Sequence, residues 1–172
     1  GMSSKVIGPR EAVHLVRDGD VLALHGAGGG NVEPGILIKA LGERYLETGE
    51  PRDLTVFHVS GLGDRKTTGL GYLAHQGLVK RVIGGHYGMA PQMSKLVLEN
   101  KIEGYNLPQG VMSQWLREVA GGRPGLITQV GLGTFVDPDR FPPPDAALRP
   151  ALRAALGFTA SEIVVGAAGR LV

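Results

Sequence analysis

No cysteine occurs among the 172 residues of this chain, which excludes disulfides, cysteine-ligated zinc and thiol nucleophiles. A predominant charge is also lacking: 18 Lys and Arg against 16 Asp and Glu leave a net +2. Aromatic residues make up only 5% and do not interleave with a basic stripe, so a nucleic-acid partner is not expected. Long hydrophobic runs are missing as well. The longest apolar stretches are about four to six residues, against the ~20 needed to cross a bilayer. No basic segment leads into a hydrophobic one near the N-terminus, so neither a signal peptide nor a membrane partner is expected. Together these absences lead to the expectation of a cytoplasmic protein.

What is abundant is glycine, with 28 residues, and its placement follows a pattern. Pro9 to Arg17 reads as a helix begun by proline and ended by Gly19. Val21–Leu24 is a short, wholly apolar run of the kind found in strands buried on both faces. A glycine-rich loop follows, and then a helix from about Pro34 with Leu37, Ala40, Leu41 and Tyr45 at helical spacing. The unit recurs. Leu54–Val59 is a strand, with a helix expected near Leu70 to Val79; Lys80–Ile83 is a strand, with a helix carrying Met93, Leu96 and Val97. Ile102–Leu107 precedes a helix carrying Val111, Met112, Trp115, Leu116 and Val119, and Leu126–Val130 closes the series.

Alternation of this kind predicts right-handed crossovers onto a parallel sheet. The expected fold class is therefore α/β: an open, mainly parallel sheet with helices on both faces. Ligands of such folds bind beyond the carboxyl ends of the strands, and the glycine clusters fall there. Composition shifts after Asp137 into a Pro/Ala-rich stretch. The expected organisation is a domain over 1–137 and a divergent tail over 138–172 packing on it, with 138–144 as a linker, a helix over Ala146–Leu156 and a strand over Ser161–Val165.

The strongest local signal is His25-Gly26-Ala27-Gly28-Gly29-Gly30-Asn31-Val32-Glu33-Pro34. Glycines between a strand and a helix let backbone approach a ligand, and a helix N-terminus offers free N–H groups to an anion. A dinucleotide fingerprint fails, because its last glycine would fall at Asn31. Gly61-Leu62-Gly63-Asp64-Arg65-Lys66 sets two basic residues beside a turn, a plausible phosphate setting. Gly84-Gly85-His86-Tyr87-Gly88 puts a histidine at a strand end. The histidines show no metal-ligand spacing, and no metal is expected.

Four segments together resemble the family I coenzyme A transferases over about residues 5–137. They are Asp18-Gly19-Asp20 leading into the Gly26–Gly30 loop, Gly77-Leu78-Val79-Lys80-Arg81-Val82-Ile83-Gly84-Gly85-His86, Tyr105-Asn106-Leu107-Pro108-Gln109-Gly110, and Gly131-Leu132-Gly133-Thr134-Phe135-Val136-Asp137-Pro138. Their order is similar to that of the alpha subunit, or the N-terminal half of fused enzymes. Ala27 stands where the family signature has phenylalanine and Asn31 where it has glycine, and Pro34 is displaced by one; these departures bear on the acyl pocket. The resemblance is expected to end at Pro138, as in a truncated, frameshifted or naturally short alpha-type domain.

The resemblance implies transfer of coenzyme A between an acyl-CoA and a small carboxylic acid, with the CoA thioester as substrate and no tightly bound cofactor. It implies substrate-binding roles for Gly26, Ala27, Gly28, Gly29, Gly30, Asn31, Gly61, Gly85, His86 and Gln109. The family's nucleophile is a glutamate of the beta half. Of the two Glu-x-Gly matches here, Glu33-Pro34-Gly35 lies in the alpha signature and Glu47-Thr48-Gly49 at a helix end, so no catalytic residue is assigned. The chain is expected to be inactive alone and to bind a beta-type subunit or to self-associate. The alternatives are a non-catalytic binding or assembly remnant of this fold, and a nucleotide- or sugar-phosphate-binding α/β enzyme.

Overall fold

The computed structural model describes residues 5–27, 31–134, 136, 137 and 154, and the backbone of 163–166. They fall into two compact units, one holding the described residues up to Asn106 and the other those from Leu107 to Gly166.

The first unit is built on four strands, β1 (Val21–Leu24), β2 (Leu54–His58), β3 (Val79–Gly84) and β4 (Glu103–Asn106). They pair in parallel in the order β1-β2-β3-β4. The open, mainly parallel α/β sheet expected from the apolar runs is what the chain forms. A short helix α1 (Pro9–Ala12) opens the unit, followed by a 3-10 turn at Val13–Leu15, and the chain turns extended at Val16, earlier than the expected end at Arg17. Helix α2 (Gly35–Thr48) connects β1 to β2 and stops at Gly49, whose φ of 77° gives the left-handed C-terminal cap that glycine adopts without strain. Helix α3 (Pro91–Leu98) connects β3 to β4.

Between β2 and β3 the expected helix over Leu70–Val79 is absent, and a 3-10 segment at Gly69–Leu73 takes its place. Gly69 sits at φ 58°, and the helix that follows stops at Ala74. Two glycines within three residues remove the side chains and raise the backbone entropy cost that a longer helix must overcome.

The core cluster of this unit lies on one face of the sheet. Leu22, Leu24, Val56 and Val82, which share a sheet face by register, pack in one cluster with Ile38 and Leu41 of α2, Leu70 and Leu73, and Met93 of α3. Leu54, Leu70, Leu73 and Met93 have no exposure; full burial of each such side chain contributes about 1.5–3 kcal/mol. Gly42 lets α2 lie against the 3-10 segment, since a Cβ there would overlap the Tyr72 carbonyl.

The second unit holds helix α4 (Gln109–Ala120), which buries Val111, Met112 and Trp115, and strands β5 (Gly125–Thr128) and β6 (Ile163–Gly166). β5 does not continue the parallel series; it pairs antiparallel with β6 in its own two-stranded sheet. The strand expected over Ser161–Val165 is thus found as β6. The expected linker at 138–144 lies outside the described residues, as does the expected helix over 146–156 except for Ala154. Among the described residues no helix is long and apolar enough to cross a membrane.

Candidate functional site

The carboxyl ends of the parallel strands form one row across the sheet: Leu24, His58, Gly84 and Asn106 are register partners in turn. The segments that follow β1, β2 and β3 carry Gly26, Gly61 and Gly85, so three of the glycine positions expected to bind substrate lie along this edge.

Each loop is keyed to the next through a glycine. Gly26 is buried, and a Cβ on it would overlap Leu62 and come within 2.8 Å of the Val32 carbonyl. Ala27 and Val32 exchange backbone hydrogen bonds of 2.8 and 3.2 Å, joining the two ends of the first loop. Gly28, Gly29 and Gly30 lie outside the described residues, and Asn31 is exposed. Glu33, leading into α2, accepts a 2.9 Å hydrogen bond from the Gly63 N–H and ties the first loop to the second.

The second loop locks onto the third in the same manner. A Cβ on Gly61 would overlap the His86 ring, and one on Gly63, at φ 127°, would overlap the Met89 carbonyl. The Arg65 N–H donates to that carbonyl at 2.9 Å. His86 is exposed and accepts a hydrogen bond from the Gly88 N–H on Nδ1 at 3.2 Å; in the neutral ring the proton then sits on Nε2, free to donate. Asn106 donates from Nδ2 to the Gly84 and Gly85 carbonyls at 3.3 and 2.9 Å. Gly26, Ala27, Asn31, Gly61, Gly85 and His86 are therefore on neighbouring loops. Gln109 is the exposed first residue of α4 in the other unit.

Sequence reasoning missed the layer beneath the loops. His58 is fully buried; its Nδ1 bonds the Ser60 carbonyl at 2.8 Å, and its Nε2 has no hydrogen-bond partner among the described residues. The ring lies over Gly84, where a Cβ would overlap it, and edge-on to Tyr87 at 5.6 Å. The Tyr87 hydroxyl proton is shared between the Val82 and Tyr105 carbonyls, and burial raises its pKa to about 12. A histidine closing a mostly apolar strand run was the one available signal. Burial, opposed by the bond to Ser60 and aided by His86, holds the His58 pKa below 6.5.

In the unfolded chain His58 takes up its proton near pH 6.5, whereas the folded chain resists until lower pH. The unfolded state therefore binds more protons in that window. Stability from the neutral ring is fully present above pH 6.5 and declines as pH falls towards the folded-state pKa. Urea unfolding as the pH is lowered from 6.5 is expected to show a steeper loss of stability in the wild type than in His58→Gln. Parallel profiles would contradict it.

Neither Glu-x-Gly carboxylate stands unengaged: Glu33 holds Gly63, and Glu47 pairs with Arg10 at 3.5 Å on the exposed side of α2. Among the described residues no three His, Asp or Glu side chains converge on a point that could hold a metal ion.

The family model for coenzyme A transferase matches residues 7–172, past the expected end of the resemblance at Pro138, and the chain belongs to this family. It is 47% identical over 133 residues to the acetate CoA-transferase YdiF of Escherichia coli K12, covering 77% of this chain and 25% of that protein. To the acetate CoA-transferase subunit alpha of the same organism it is 30% identical, covering 79% of this chain and 58% of the subunit. The crystal structure of the E. coli O157:H7 acyl-CoA transferase YdiF, a thioester complex with CoA, superposes with a TM-score of 0.75 at 46% identity, covering 77% of this chain and 27% of that one. The chain thus spans about a quarter of the length of its YdiF relatives.

Proposed function

We propose that this chain is the alpha-type half of a CoA-transferase, shaping the pocket in which coenzyme A passes between an acyl-CoA and a free carboxylic acid. The observation that carries this reading is the glycine-keyed edge, where three loops interlock at the carboxyl ends of β1, β2 and β3. At this edge the His86 Nε2–H can donate to a carboxylate or thioester oxygen. The ten substrate-binding residues expected from the sequence remain part of this proposal.

The chemistry requires a carboxylate nucleophile. It attacks the thioester carbonyl and expels the CoA thiolate, leaving a mixed anhydride. The thiolate then attacks the enzyme's own acyl carbon, releasing the first carboxylic acid and leaving CoA as an enzyme thioester. The acceptor acid reverses these steps. Glu33 and Glu47 are both engaged in structural contacts, which supports a nucleophile supplied by a beta-type partner in a cytoplasmic assembly. Likeness both to a separate alpha subunit and to the much longer YdiF is compatible with a partner of either arrangement.

The test is calorimetric titration of acetyl-CoA into the chain. Gly61→Ala, which displaces the His86 ring, and His86→Ala should each weaken binding up to about tenfold, the scale of one hydrogen bond, with native far-UV circular dichroism. Unchanged affinity in both variants would remove these loops from the pocket.

A further inference from the structure

The basic pair beside the second loop is not used by the acyl pocket. Residues 63–69 form a small closed loop. A Cβ on Gly69, at φ 58°, would come within 2.5 Å of Gly63 Cα and N, so the two ends touch. Asp64 folds its carboxylate back onto the loop, Oδ1 accepting from the Lys66 N–H at 2.8 Å and the Thr68 N–H at 3.1 Å. Those bonds, led by the one from Thr68, hold its pKa below the usual carboxylate value. Arg65 sits at φ 66°, a left-handed conformation uncommon for a residue other than glycine, fixed by its N–H bond to the Met89 carbonyl. The result presents Arg65, Lys66 and Thr67 to solvent.

The position of this pair sets it apart. Among the described cations of this unit, only Arg65 and Lys66 follow the carboxyl end of a strand; the others lie on helices, in β3, or on segments leading into a helix or strand. Neither makes a salt bridge among the described residues, whereas Arg10, Lys39, Arg81 and Lys95 all do. Two unpaired cations and an exposed hydroxyl on a braced loop, next to the pocket for the thioester end, match a polyanion lying along the same edge.

We infer that the Gly63–Gly69 loop binds the phosphate groups of the coenzyme A nucleotide, with Arg65 and Lys66 as the contacting cations. This rests on the coenzyme A reading above and adds to it the part of the substrate that the acyl pocket does not hold. The pyrophosphate and 3′-phosphate carry the substrate's negative charge, while the thioester arm is neutral. Charge therefore separates this loop's contribution from that of the acyl pocket.

The experiment titrates the 172-residue chain with acetyl-CoA, S-acetylpantetheine and inorganic pyrophosphate at low and moderate salt. The variant is Arg65→Gly with Lys66→Gln, which removes both charges while glycine keeps the left-handed backbone at position 65. Acetyl-CoA binding is expected to weaken at least about tenfold and to lose part of its salt dependence. S-acetylpantetheine, which lacks the nucleotide, should bind both proteins equally. Equal acetyl-CoA affinity in wild type and variant overturns the inference while leaving the coenzyme A reading intact. An equal loss for S-acetylpantetheine also overturns it, since the defect would lie in the acyl pocket. Pyrophosphate binding lost in the variant, with no binding of either thioester by the wild type, overturns the assignment to coenzyme A. No binding of any of the three by the wild type overturns both.

Discussion

Gly63→Ala should destabilise the chain by about 3 kcal/mol or more and abolish detectable thioester binding. Two independent costs meet at this position. A φ of 127° is open to glycine and strained for an alanine. The new Cβ would also overlap the Met89 carbonyl and come within 3.0 Å of the Thr68 carbonyl, both backbone atoms that cannot swing aside like a side chain. Relief requires moving the second loop off the third, which breaks the Arg65–Met89 hydrogen bond and shifts the Gly63 N–H away from Glu33. The effect should therefore reach all three loops. Gly35→Ala is the matched control: it lies at the start of α2, and its nearest neighbour among the described residues would be Glu33 Oε1 at 3.8 Å, ordinary contact. It should change stability by less than about 1 kcal/mol. Urea unfolding of both variants checks the contrast, and similar losses in the two would show that the loop is not the constraint described here.

The sheet and the glycine-bearing loops at its carboxyl edge were legible because they depend on short-range pattern. Apolar runs ending in glycine marked β1, β2 and β3, and the spacing of Leu37, Ala40, Leu41 and Tyr45 marked α2. Less of the local detail could be read. The segment from Leu70 to Val79 has enough apolar residues for a helix, but Gly69 and Gly71 and the packing of Leu70 and Leu73 into the core favour a 3-10 segment. Leu126–Val130 looks like another parallel strand, and its antiparallel pairing with β6 depends on a segment more than thirty residues away.

The site divides along the same line. Glycine after a strand is visible in sequence, but what each glycine accommodates is not. Gly61 makes room for His86 and Gly26 for Leu62, contacts across 25 and 36 residues that no local motif encodes. Glu33 looked like a carboxylate at a helix start; its bond to Gly63 is a tertiary fact. His58 gave only the weak signal of a polar residue at the end of an apolar strand, because its role comes from burial beneath loops contributed by other strands.

The second large effect concerns turnover. A transferase of this chemistry cannot form its thioester intermediate without an attacking carboxylate, and here Glu33 spans two loops while Glu47 sits in a surface ion pair with Arg10. Loss of covalent catalysis removes the reaction path altogether, so the expected difference between the chain alone and a completed enzyme is several orders of magnitude. The direct measurement is transfer of CoA from an acyl-CoA to acetate by the purified 172-residue chain, with and without a beta-type CoA-transferase subunit. We expect no transfer above the uncatalysed rate by the chain alone, and turnover when the beta-type subunit is added. Sustained ping-pong turnover by the chain alone, lost in Glu33→Gln, would contradict the account and make Glu33 the nucleophile.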